Sequence, residues 1–508
     1  MMIPAAANPA GAPLPTPPAG VAPLEKGVPV PGSPVPENHV IVIFGANGDL
    51  AGRKLVPGLF HLAADGLMPA DYRIVGSSRE DLSDDDFRAF ARAAVEKAGR
   101  VEPDERTWEA FAERLSYVPG EFGPGRTGRL ADAVAAAEAR LGDVARRLAY
   151  LAIPPTAFAA VTEGLGESGL AAGARVVYEK PFGLGLESFR ELNAAVRRVL
   201  HESQVYRIDH FLGKESVQNI LAIRFANGMY EPVWNRDHID HVQVDVPEAL
   251  GIGARAGFYE RVGALRDMVV THLFQVLSFV AMEPPSALSA RALTEEKLKV
   301  FEAMSPLRPE DLVRGQYEGY RELDGVARDT TTETFVAARV HVDNWRWAGV
   351  PFYLRTGKRL AESRSAVTLA FREPPRHLFR SVPADRLETN HLTFSLGPWE
   401  GVSISFHAKV PGPALELGPA RMDYRFGSSP GPKTIDAYER LLHDAMCGDR
   451  TLFTRGDGVE RVWEVVEPVL ADPPPPHPYE QGSWGPAAAS RLIAPRRWHL
   501  PDPDEPGA

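Results

Sequence analysis

Cysteine is almost absent from this chain, whose 508 residues include only Cys447. One cysteine cannot form a disulfide within the chain or build a cysteine-based structural metal site. We therefore interpret Cys447 as an incidental thiol near a helix end. Without such crosslinks the chain must fold by burying apolar surface, and its length suffices for more than one domain.

Long apolar runs and excess basic charge are also lacking. No apolar run approaches the roughly 20 residues that span a bilayer, and the longest candidate, residues 273–282, is typical of a core helix. The formal net charge of -11 argues against general binding to nucleic acids or anionic membranes. Residues 1–36 lack the basic start and apolar stretch of a signal peptide. We expect a cytoplasmic protein without nucleic-acid or membrane partners.

Residues 1–36 contain 11 prolines and few charges. Such a composition cannot bury enough apolar surface to offset its ordering entropy, so we predict a disordered, passive tail.

From residue 39 onwards apolar strands alternate with helical patterns, which predicts an α/β Rossmann-like dinucleotide-binding domain over residues 37–208. The first helix, at 50–64, contains Pro57, which is expected to kink or break it. The predicted strands are 40–44, 72–76, 148–153 and 175–178, and the other helices 83–98, 104–114 and 128–141.

After about residue 210 the pattern changes to alternating strands with one covered face. This predicts a larger α+β domain over residues 209–508, with a mostly antiparallel sheet. Its predicted strands are 241–246, 334–342, 366–371, 391–395 and 402–407, and its helices 214–225, 261–282 and 434–447.

A glycine turn, Gly45-Ala-Asn-Gly48-Asp-Leu-Ala51, follows the first strand and precedes a helix. Glycines let the backbone turn sharply beside a diphosphate, and the helix start offers free N–H groups. The spacing is not Gly-x-Gly-x-x-Gly, and on its own it would indicate a structural turn. In this context we predict a dinucleotide site formed by Gly45, Asn47, Gly48, Asp49 and Leu50.

Two basic residues follow other strands of the same domain. Arg79 stands where an acidic residue would bind the ribose of NAD, and its guanidinium could pair with the 2′-phosphate of NADP. Lys180, in Glu-Lys-Pro-Phe-Gly, lies at a strand end and could donate to a sugar hydroxyl or the cofactor. Each would be an ordinary surface or turn residue in isolation.

The segment Arg207-Ile-Asp-His-Phe-Leu-Gly-Lys-Glu215 is the most specific motif. Lys214 begins a helix, so its side chain, the helix N-terminus and His210 can converge on a phosphate. His272 lies on the apolar face of another helix, which is typical of a core histidine but also suits a partly desolvated base. Asp209 is the candidate carboxylate to orient that base. Glu248 and Lys358 are lesser polar candidates.

These motifs, taken in order, resemble the glucose-6-phosphate dehydrogenase family from about residue 38 to the C-terminus. The series continues through Arg266-Asp267-x4-His272, Arg355-Thr-Gly-Lys358 and Asp436-Ala-Tyr-Glu-Arg-Leu441. The resemblance implies oxidation of β-D-glucose 6-phosphate at C1 by NADP, without a metal, in a homodimer or homotetramer. It also implies a general base at His272 oriented by Asp209, a phosphate site of His210 and Lys214, and sugar contacts from Lys180, Glu248, Asp267 and Lys358.

Two positions depart from the family pattern. Phe211 replaces a tyrosine whose hydroxyl helps bind phosphate; a hydrogen bond to a charged group contributes about 1.5–3 kcal/mol, so KM could rise or the substrate change. Gly397 stands before Pro398 where the family often has glutamine. Two alternatives stay open: a Rossmann sugar oxidoreductase of another family, and a non-catalytic paralogue that regulates the true dehydrogenase.

Overall fold

The computed structural model describes residues 34–100, 103–142, 145–253, 256–376, 378–379, 389–426 and 435–499. The tail predicted over residues 1–36 lies outside these ranges up to residue 33. At its end, the Pro34 carbonyl accepts a hydrogen bond from His443 Nε2 at 3.1 Å, and Pro36 is buried. Ordered contacts thus begin slightly earlier than the predicted boundary.

A parallel sheet forms the first half of the fold. Among the described residues its strands are β1 His39–Phe44, β2 Tyr72–Ser78, β3 Leu115–Pro119, β4 Arg146–Leu151, β5 Arg175–Tyr178 and β6 Val205–Arg207. Their order is β3-β2-β1-β4-β5-β6, and every pair is parallel. This confirms the Rossmann-like prediction. The strand order reverses between β1 and β4, where ligands of such sheets bind.

The helices between these strands have the bounds α1 Val56–Ala64, α2 Asp84–Ala98, α3 Glu105–Ala112, α4 Gly128–Leu141, α5 Phe158–Glu167 and α6 Leu186–Val199. The helices that follow β2 and β3 lie close to the predicted ranges, whereas α5 and α6, which follow β4 and β5, were not predicted. In α2, Ser83 Oγ accepts from the Asp86 N–H at 3.1 Å, and the Asp86 carboxylate accepts from the Ser83 N–H at 3.0 Å. This capping box explains why the start of α2 is readable from sequence.

The first helix differs from the expectation. Residues Ala51–Leu55 form a π-helix that passes directly into α1, and Pro57 lies in the first turn of α1. The predicted break is therefore absent, but the hydrogen-bond pattern changes from π-helical to α-helical at the residue before Pro57, which has no N–H to donate. Wide π-turns are frequent at functional sites, and this one directly follows the glycine turn.

A second, larger sheet is mostly antiparallel, as predicted. Within the described ranges its strands are β7 Ile239–Pro247, β8 Leu312–Tyr317, β9 Phe335–His341, β10 Pro351–Gly357, β11 Ser365–Phe371, β12 His391–Gly397, β13 Glu400–Lys409, β14 Leu417–Arg425 and β15 His477–Tyr479. The order is β14-β13-β12-β11-β7-β10-β9-β8-β15, with parallel pairing only at β7–β10 and β8–β15. Sequence patterns do not predict β10, because Arg355 and Thr356 interrupt its apolar run.

The α-helices of this half come before and after the π-helical stretch that carries His272. Their bounds are α7 Glu215–Ala226, α8 Ala256–Ala264, α9 Phe274–Ala281, α10 Ala290–Glu302, α11 Ala437–Cys447, α12 Gly456–Ala471 and α13 Ala487–Ile493. The helix predicted over 261–282 is not continuous. Gly263 (φ 68°, ψ 170°) kinks it, and Leu265–Leu273 is π-helical before α9 begins. We call Leu265–Leu273 the π segment.

The stretch Ala256–Ala281 has the length and apolar composition of a membrane span. The expectation that no apolar stretch approaches this length was therefore wrong. In the described part of the chain, 83% of the most apolar part of Ala256–Ala281 is buried. Its apolar surface is thus covered by protein, and the prediction of a core helix is confirmed.

Candidate active site

The turn after β1 requires glycine at its first position. Gly45 has a φ of +79°, and a Cβ there would lie 2.3 Å from the Ala152 carbonyl oxygen. The Gly45 N–H donates to the Ser77 carbonyl at 2.8 Å, and the Gly48 N–H donates to the Gly45 carbonyl at 3.0 Å. The turn thus joins the ends of β1 and β2 and leads into a helix start, where free N–H groups attract a diphosphate.

The side chains predicted to bind the cofactor surround this turn. Asn47 Nδ2 donates to Glu80 Oε2 at 2.6 Å, which links the turn to the loop after β2. Asp49 is exposed, and Leu50 is half-buried. Arg79 is exposed and makes no side-chain hydrogen bond or ion pair with the residues that the structure describes. Its guanidinium is therefore available to a ligand.

Asp209 and His272 form a buried pair at the junction of the two sheets. Asp209 follows β6, His272 lies in the π segment, and their side chains are about 2% and 1% exposed. Asp209 Oδ1 accepts hydrogen bonds from His272 Nδ1 at 2.6 Å and from the Phe211 N–H at 2.9 Å. His272 Nε2 is buried and has no partner among the described residues. This ring nitrogen is therefore left to accept a proton.

Burial controls the charge of this pair. It lowers the pKa of His272 well below 6.5, with help from the charge of Lys180, so the imidazole is neutral at pH 7. Burial also raises the Asp209 pKa to about 6, although His210 and the Phe211 N–H oppose the rise. A neutral histidine next to an ionised carboxylate is the arrangement of a general base and its orienting group.

Lys180 connects the parallel sheet to the π segment. It follows β5, and its Nζ donates to Asp267 Oδ1 at 2.9 Å. Burial raises the pKa of Asp267, but the charge and the hydrogen bond of Lys180, together with the charge of Lys358, outweigh burial and hold that pKa at about 2. Asp267 lies five residues before His272 in the same segment. The ion pair therefore places two polar groups beside the candidate base.

Glu248 and Lys358 meet at one edge of the large sheet. They follow the parallel neighbours β7 and β10, whose last residues are paired as Pro247 and Gly357. Lys358 Nζ contacts Glu248 Oε1 at 2.5 Å. The charge of Lys358 also lowers the pKa of both His272 and Asp267, so this ion pair belongs to the same cluster.

A third group of side chains adjoins the pair. The ring of His210 lies 4.6 Å from that of His272, and burial lowers the pKa of His210 well below 6.5. Phe211 stacks on His272 with a centroid distance of 4.6 Å. Lys214 caps α7, and its Nζ lies 4.3 Å from the Phe211 ring centroid. A cation thus rests on the aromatic ring that replaces the family's tyrosine.

Two family models together match the chain from residue 42 to residue 499, except residue 220. The glucose-6-phosphate dehydrogenase NAD binding domain matches residues 42–219, and the C-terminal domain of the same enzyme matches residues 221–499. The chain belongs to the glucose-6-phosphate dehydrogenase family.

Relatives in this family are similar over most of their length. Glucose-6-phosphate 1-dehydrogenase 2 of Mycobacterium tuberculosis is 42% identical over 484 residues, covering 91% of this chain and 94% of the relative. Glucose-6-phosphate 1-dehydrogenase of Chlamydia pneumoniae is 41% identical over 482 residues, covering 89% and 94%.

Solved structures of the family have the same fold. The glucose-6-phosphate 1-dehydrogenase of Mycobacterium avium superposes with a TM-score of 0.82 at 40% identity, covering 92% of this chain and 99% of that one. A glucose-6-phosphate dehydrogenase in complex with its substrate glucose-6-phosphate gives a TM-score of 0.85 at 32% identity, with the same coverage.

The structure adds residues to the site that sequence reasoning missed. The hydroxyl of Tyr259 is buried without a partner in the described ranges, and its ring lies 5.8 Å from Lys358 Nζ. Tyr438 stacks on His210 at 6.1 Å. Tyr259 stands in a helical pattern with nothing to distinguish it, whereas Tyr438 belongs to the C-terminal family motif.

Asp209, His210 and His272 also place ligand atoms within 4.8 Å of one another, close enough to hold a metal ion. However, Asp209 Oδ1 and His272 Nδ1 already bond each other. We interpret the cluster as an acid–base pair with a neighbouring histidine.

Proposed function

We propose that this family member oxidises β-D-glucose 6-phosphate at C1 with NADP, giving 6-phospho-D-glucono-1,5-lactone and NADPH, the first step of the oxidative pentose phosphate pathway. The observation that carries this proposal is the buried pair of Asp209 and His272, in which Nε2 of a neutral imidazole is left without a protein partner. Its family, over about 90% of the chain, supplies the substrate class.

In the proposed reaction, Nε2 of His272 takes the proton of the C1 hydroxyl as the C1–H bond breaks. Bound NADP supplies the acceptor for the hydride, and the electron pair of the O–H bond forms the C1 carbonyl. The imidazolium that results is stabilised by the carboxylate of Asp209, which also holds the proton on Nδ1. The proton thus stays on a pair of side chains that are shielded from water.

For the cofactor, the glycine turn fits a diphosphate because a Cβ at Gly45 would fill the space beside Ala152. We infer that NADP is held by the residues predicted from sequence, with the 2′-phosphate on the available guanidinium of Arg79. These residues are Gly45, Asn47, Gly48, Asp49, Leu50, Arg79 and Lys180.

For the substrate, we infer that two ion pairs bind the sugar hydroxyls and that a separate pair of side chains binds the phosphate. Lys180, Asp267, Glu248 and Lys358 can each exchange part of an ion pair for sugar hydroxyls. His210 adjoins the His272 ring and Lys214 rests on the Phe211 ring, and these two side chains suit the phosphate.

The direct test is the absorbance of NADPH at 340 nm with purified protein. We expect turnover with glucose 6-phosphate and NADP, much less with glucose, and loss of turnover in His272→Asn. His238→Asn changes an exposed histidine outside the site and should leave turnover unchanged. Turnover of glucose alone would favour an oxidoreductase of another type, and no turnover of any sugar would favour a regulatory paralogue.

We further propose the division into a dinucleotide-binding domain of residues 37–208 and a substrate domain of residues 209–508. The last strand of the parallel sheet, β6, ends two residues before Asp209. In hydrogen exchange of the whole chain, NADP should protect mainly residues 37–208 and glucose 6-phosphate mainly residues 209–508, and the reverse pattern would contradict this division.

We also propose a homodimer or homotetramer in the cytoplasm, without membrane or nucleic-acid partners. The edge strand β14 exposes Met422 and Tyr424 to 58% and 46%, and Trp399 beside it is 52% exposed. Exposed apolar groups along one sheet favour association between copies. Sedimentation velocity should give a mass of two or four chains, and a monomer at micromolar concentration would refute this.

A further inference from the structure

Glu333 is a buried glutamate outside the groups assigned to the reaction. It lies just before β9 and is 3% exposed, and its Oε2 accepts hydrogen bonds from Arg314 Nε at 3.0 Å and Nη2 at 2.7 Å. A buried ion pair adds little net stability, because the desolvation of both charges offsets their attraction. Such a pair can instead fix the geometry of the segments that it joins.

The other carboxylate oxygen of Glu333 caps the π segment, which carries Asp267 and His272. The first N–H groups of a helix have no partner within the helix, and Ala264, at the N-cap position, has no side-chain acceptor. Glu333 Oε1 accepts from the Leu265 N–H at 3.0 Å, and the Glu333 carbonyl accepts from the Ala264 N–H at 3.0 Å. The carboxylate also faces the positive end of the helix dipole. A residue 68 positions beyond Leu265 thus holds the start of the segment.

The kink before the π segment leaves space for this carboxylate. Gly263 has a φ of +68°, and a Cβ there would lie 2.4 Å from Glu333 Oε1. Any other residue at this position would therefore push the carboxylate away from the Leu265 N–H. The glycine kink and the cap form one structural unit.

The next residue, Thr334, joins Glu333 to the opposite wall of the site. β9 begins at Phe335, which is paired with Gly357, the last residue of β10. One step further along this ladder, the Thr334 carbonyl accepts from the Lys358 N–H at 2.8 Å. Two consecutive residues thus bond the start of the π segment and the backbone of Lys358.

Separate contacts attach the π segment to the parallel sheet. Lys180 pairs with Asp267, and Arg266 Nε donates to the Leu184 carbonyl at 2.9 Å. Both partners lie in the chain that follows β5. Neither contact involves the large sheet, so neither fixes the distance from the segment to Lys358.

We propose that Glu333 is a positioning residue, which fixes the start of the π segment relative to Lys358 and so sets the width of the sugar site between Asp267 and Lys358. It acts through the backbone of Leu265 and touches no reacting atom. The role rests on the proposed function, because that function assigns Asp267 and Lys358 to the sugar.

The test compares Glu333→Gln and Glu333→Ala with Asp311→Asn. Glutamine keeps the shape but offers one acceptor oxygen to the two donors, Leu265 and Arg314, and alanine offers none. Asp311 is also 3% exposed, and its Oδ1 accepts from Arg339 Nε at 2.9 Å, towards the other end of β9. Asp311→Asn therefore removes a comparable buried carboxylate outside the site.

With glucose 6-phosphate and NADP, Glu333→Ala should lower kcat and raise the KM of the sugar phosphate. Because groups misplaced by about 1 Å can cost about 100-fold in rate, kcat/KM should fall roughly 10–100-fold, and less in Glu333→Gln. The KM of NADP should stay unchanged, since the glycine turn belongs to the other sheet.

The control separates positioning from a loss of stability. Asp311→Asn should melt at a lower temperature, as Glu333→Gln should, because each leaves a buried cation without its full partner. Lower stability alone reduces the amount of active enzyme, so Asp311→Asn should keep both KM values. An unchanged KM for glucose 6-phosphate in Glu333→Ala, or an equal change in Asp311→Asn, would overturn the proposal.

Hydrogen exchange of the ligand-free protein keeps this proposal distinct from the proposed function. The amides at residues 264–268 should exchange faster in Glu333→Ala and keep their protection in Asp311→Asn, whatever the substrate of the enzyme. If the wild type turns over no sugar phosphate, the proposed function fails; if exchange at residues 264–268 is unchanged, the role of Glu333 fails.

Discussion

Replacing Asp209 with asparagine would remove the charge of the catalytic pair while keeping its shape. Asp209 Oδ1 accepts both hydrogen bonds, from His272 Nδ1 and from the Phe211 N–H, whereas Oδ2 has no partner among the described residues. An asparagine can place its carbonyl oxygen at the Oδ1 position and its amide nitrogen at the other. His272 then keeps its tautomer and orientation but loses the neighbouring negative charge.

The magnitude follows from the contact between the two groups. Because both charges are delocalised, the 2.6 Å between Oδ1 and Nδ1 corresponds to charge centres about 4 Å apart, worth about 4 kcal/mol at an effective dielectric constant of about 20. The imidazolium forms only as the reaction proceeds, so this attraction is lost mainly from the transition state. At about 1.4 kcal/mol per tenfold change in rate, kcat should fall by roughly 10³-fold.

Stability should change in the opposite direction. The Asp209 pKa is raised from 3.8 to about 6 in the folded protein, so the folded state binds the proton more tightly than the unfolded state. Ionisation of Asp209 therefore destabilises the fold as pH rises through this window, and the full effect, about 3 kcal/mol, is present at pH 7. Asp209→Asn should raise the unfolding temperature at pH 7, and the difference should disappear near pH 4.

The assay is NADPH formation at 340 nm, with kcat and KM measured separately, alongside thermal unfolding at both pH values. Asp132→Asn, an exposed position on α4, is the matched control and should change neither quantity. A kcat within tenfold of the wild type would refute the electrostatic reasoning. A fall in kcat together with a lower unfolding temperature would mean that the substitution damages the fold rather than the charge.

Two further predictions concern ligand binding. Arg79→Ala should lower kcat/KM with NADP roughly 10–100-fold, the loss of one strong charged contact, and leave NAD nearly unchanged; equal losses with both cofactors would contradict the 2′-phosphate assignment. Lys214→Ala should raise KM for glucose 6-phosphate by a similar factor while kcat falls less, because the phosphate is remote from C1; an unchanged KM, judged beside Lys299→Ala, would exclude the phosphate role.

Local features of the fold were predictable because their physical causes are local. The apolar run of β1 is explained by its complete burial, and the glycine at position 45 by a positive φ and a carbonyl that leaves no room for a Cβ. The capping box of α2 likewise lies within four residues. The expected break at Pro57 is absent, because the preceding π-helical turn, which has no marked sequence pattern, continues into α1.

The residues of the site were predictable from the sequence, but their arrangement in space was not. Motif resemblance named its residues, and the structure brings the catalytic and sugar-phosphate candidates together at the junction of the two sheets. Tyr259 was missed because it stands in an ordinary helical pattern. Its significance comes from burial of its hydroxyl without a hydrogen-bond partner among the described residues, which is a property of the packed protein.

By itself, the sequence predicted the types of the strands and helices that it located, a candidate dinucleotide turn, the family and the candidate reacting groups. Only the tertiary structure decided which groups meet: Asp209 and His272 are 63 residues apart, Lys180 and Asp267 are 87 apart. It also decided their charges. The pKa of His272 is lowered and that of Asp209 is raised because packing of distant segments removes water from both, and desolvation depends on the whole fold rather than on neighbours in the chain.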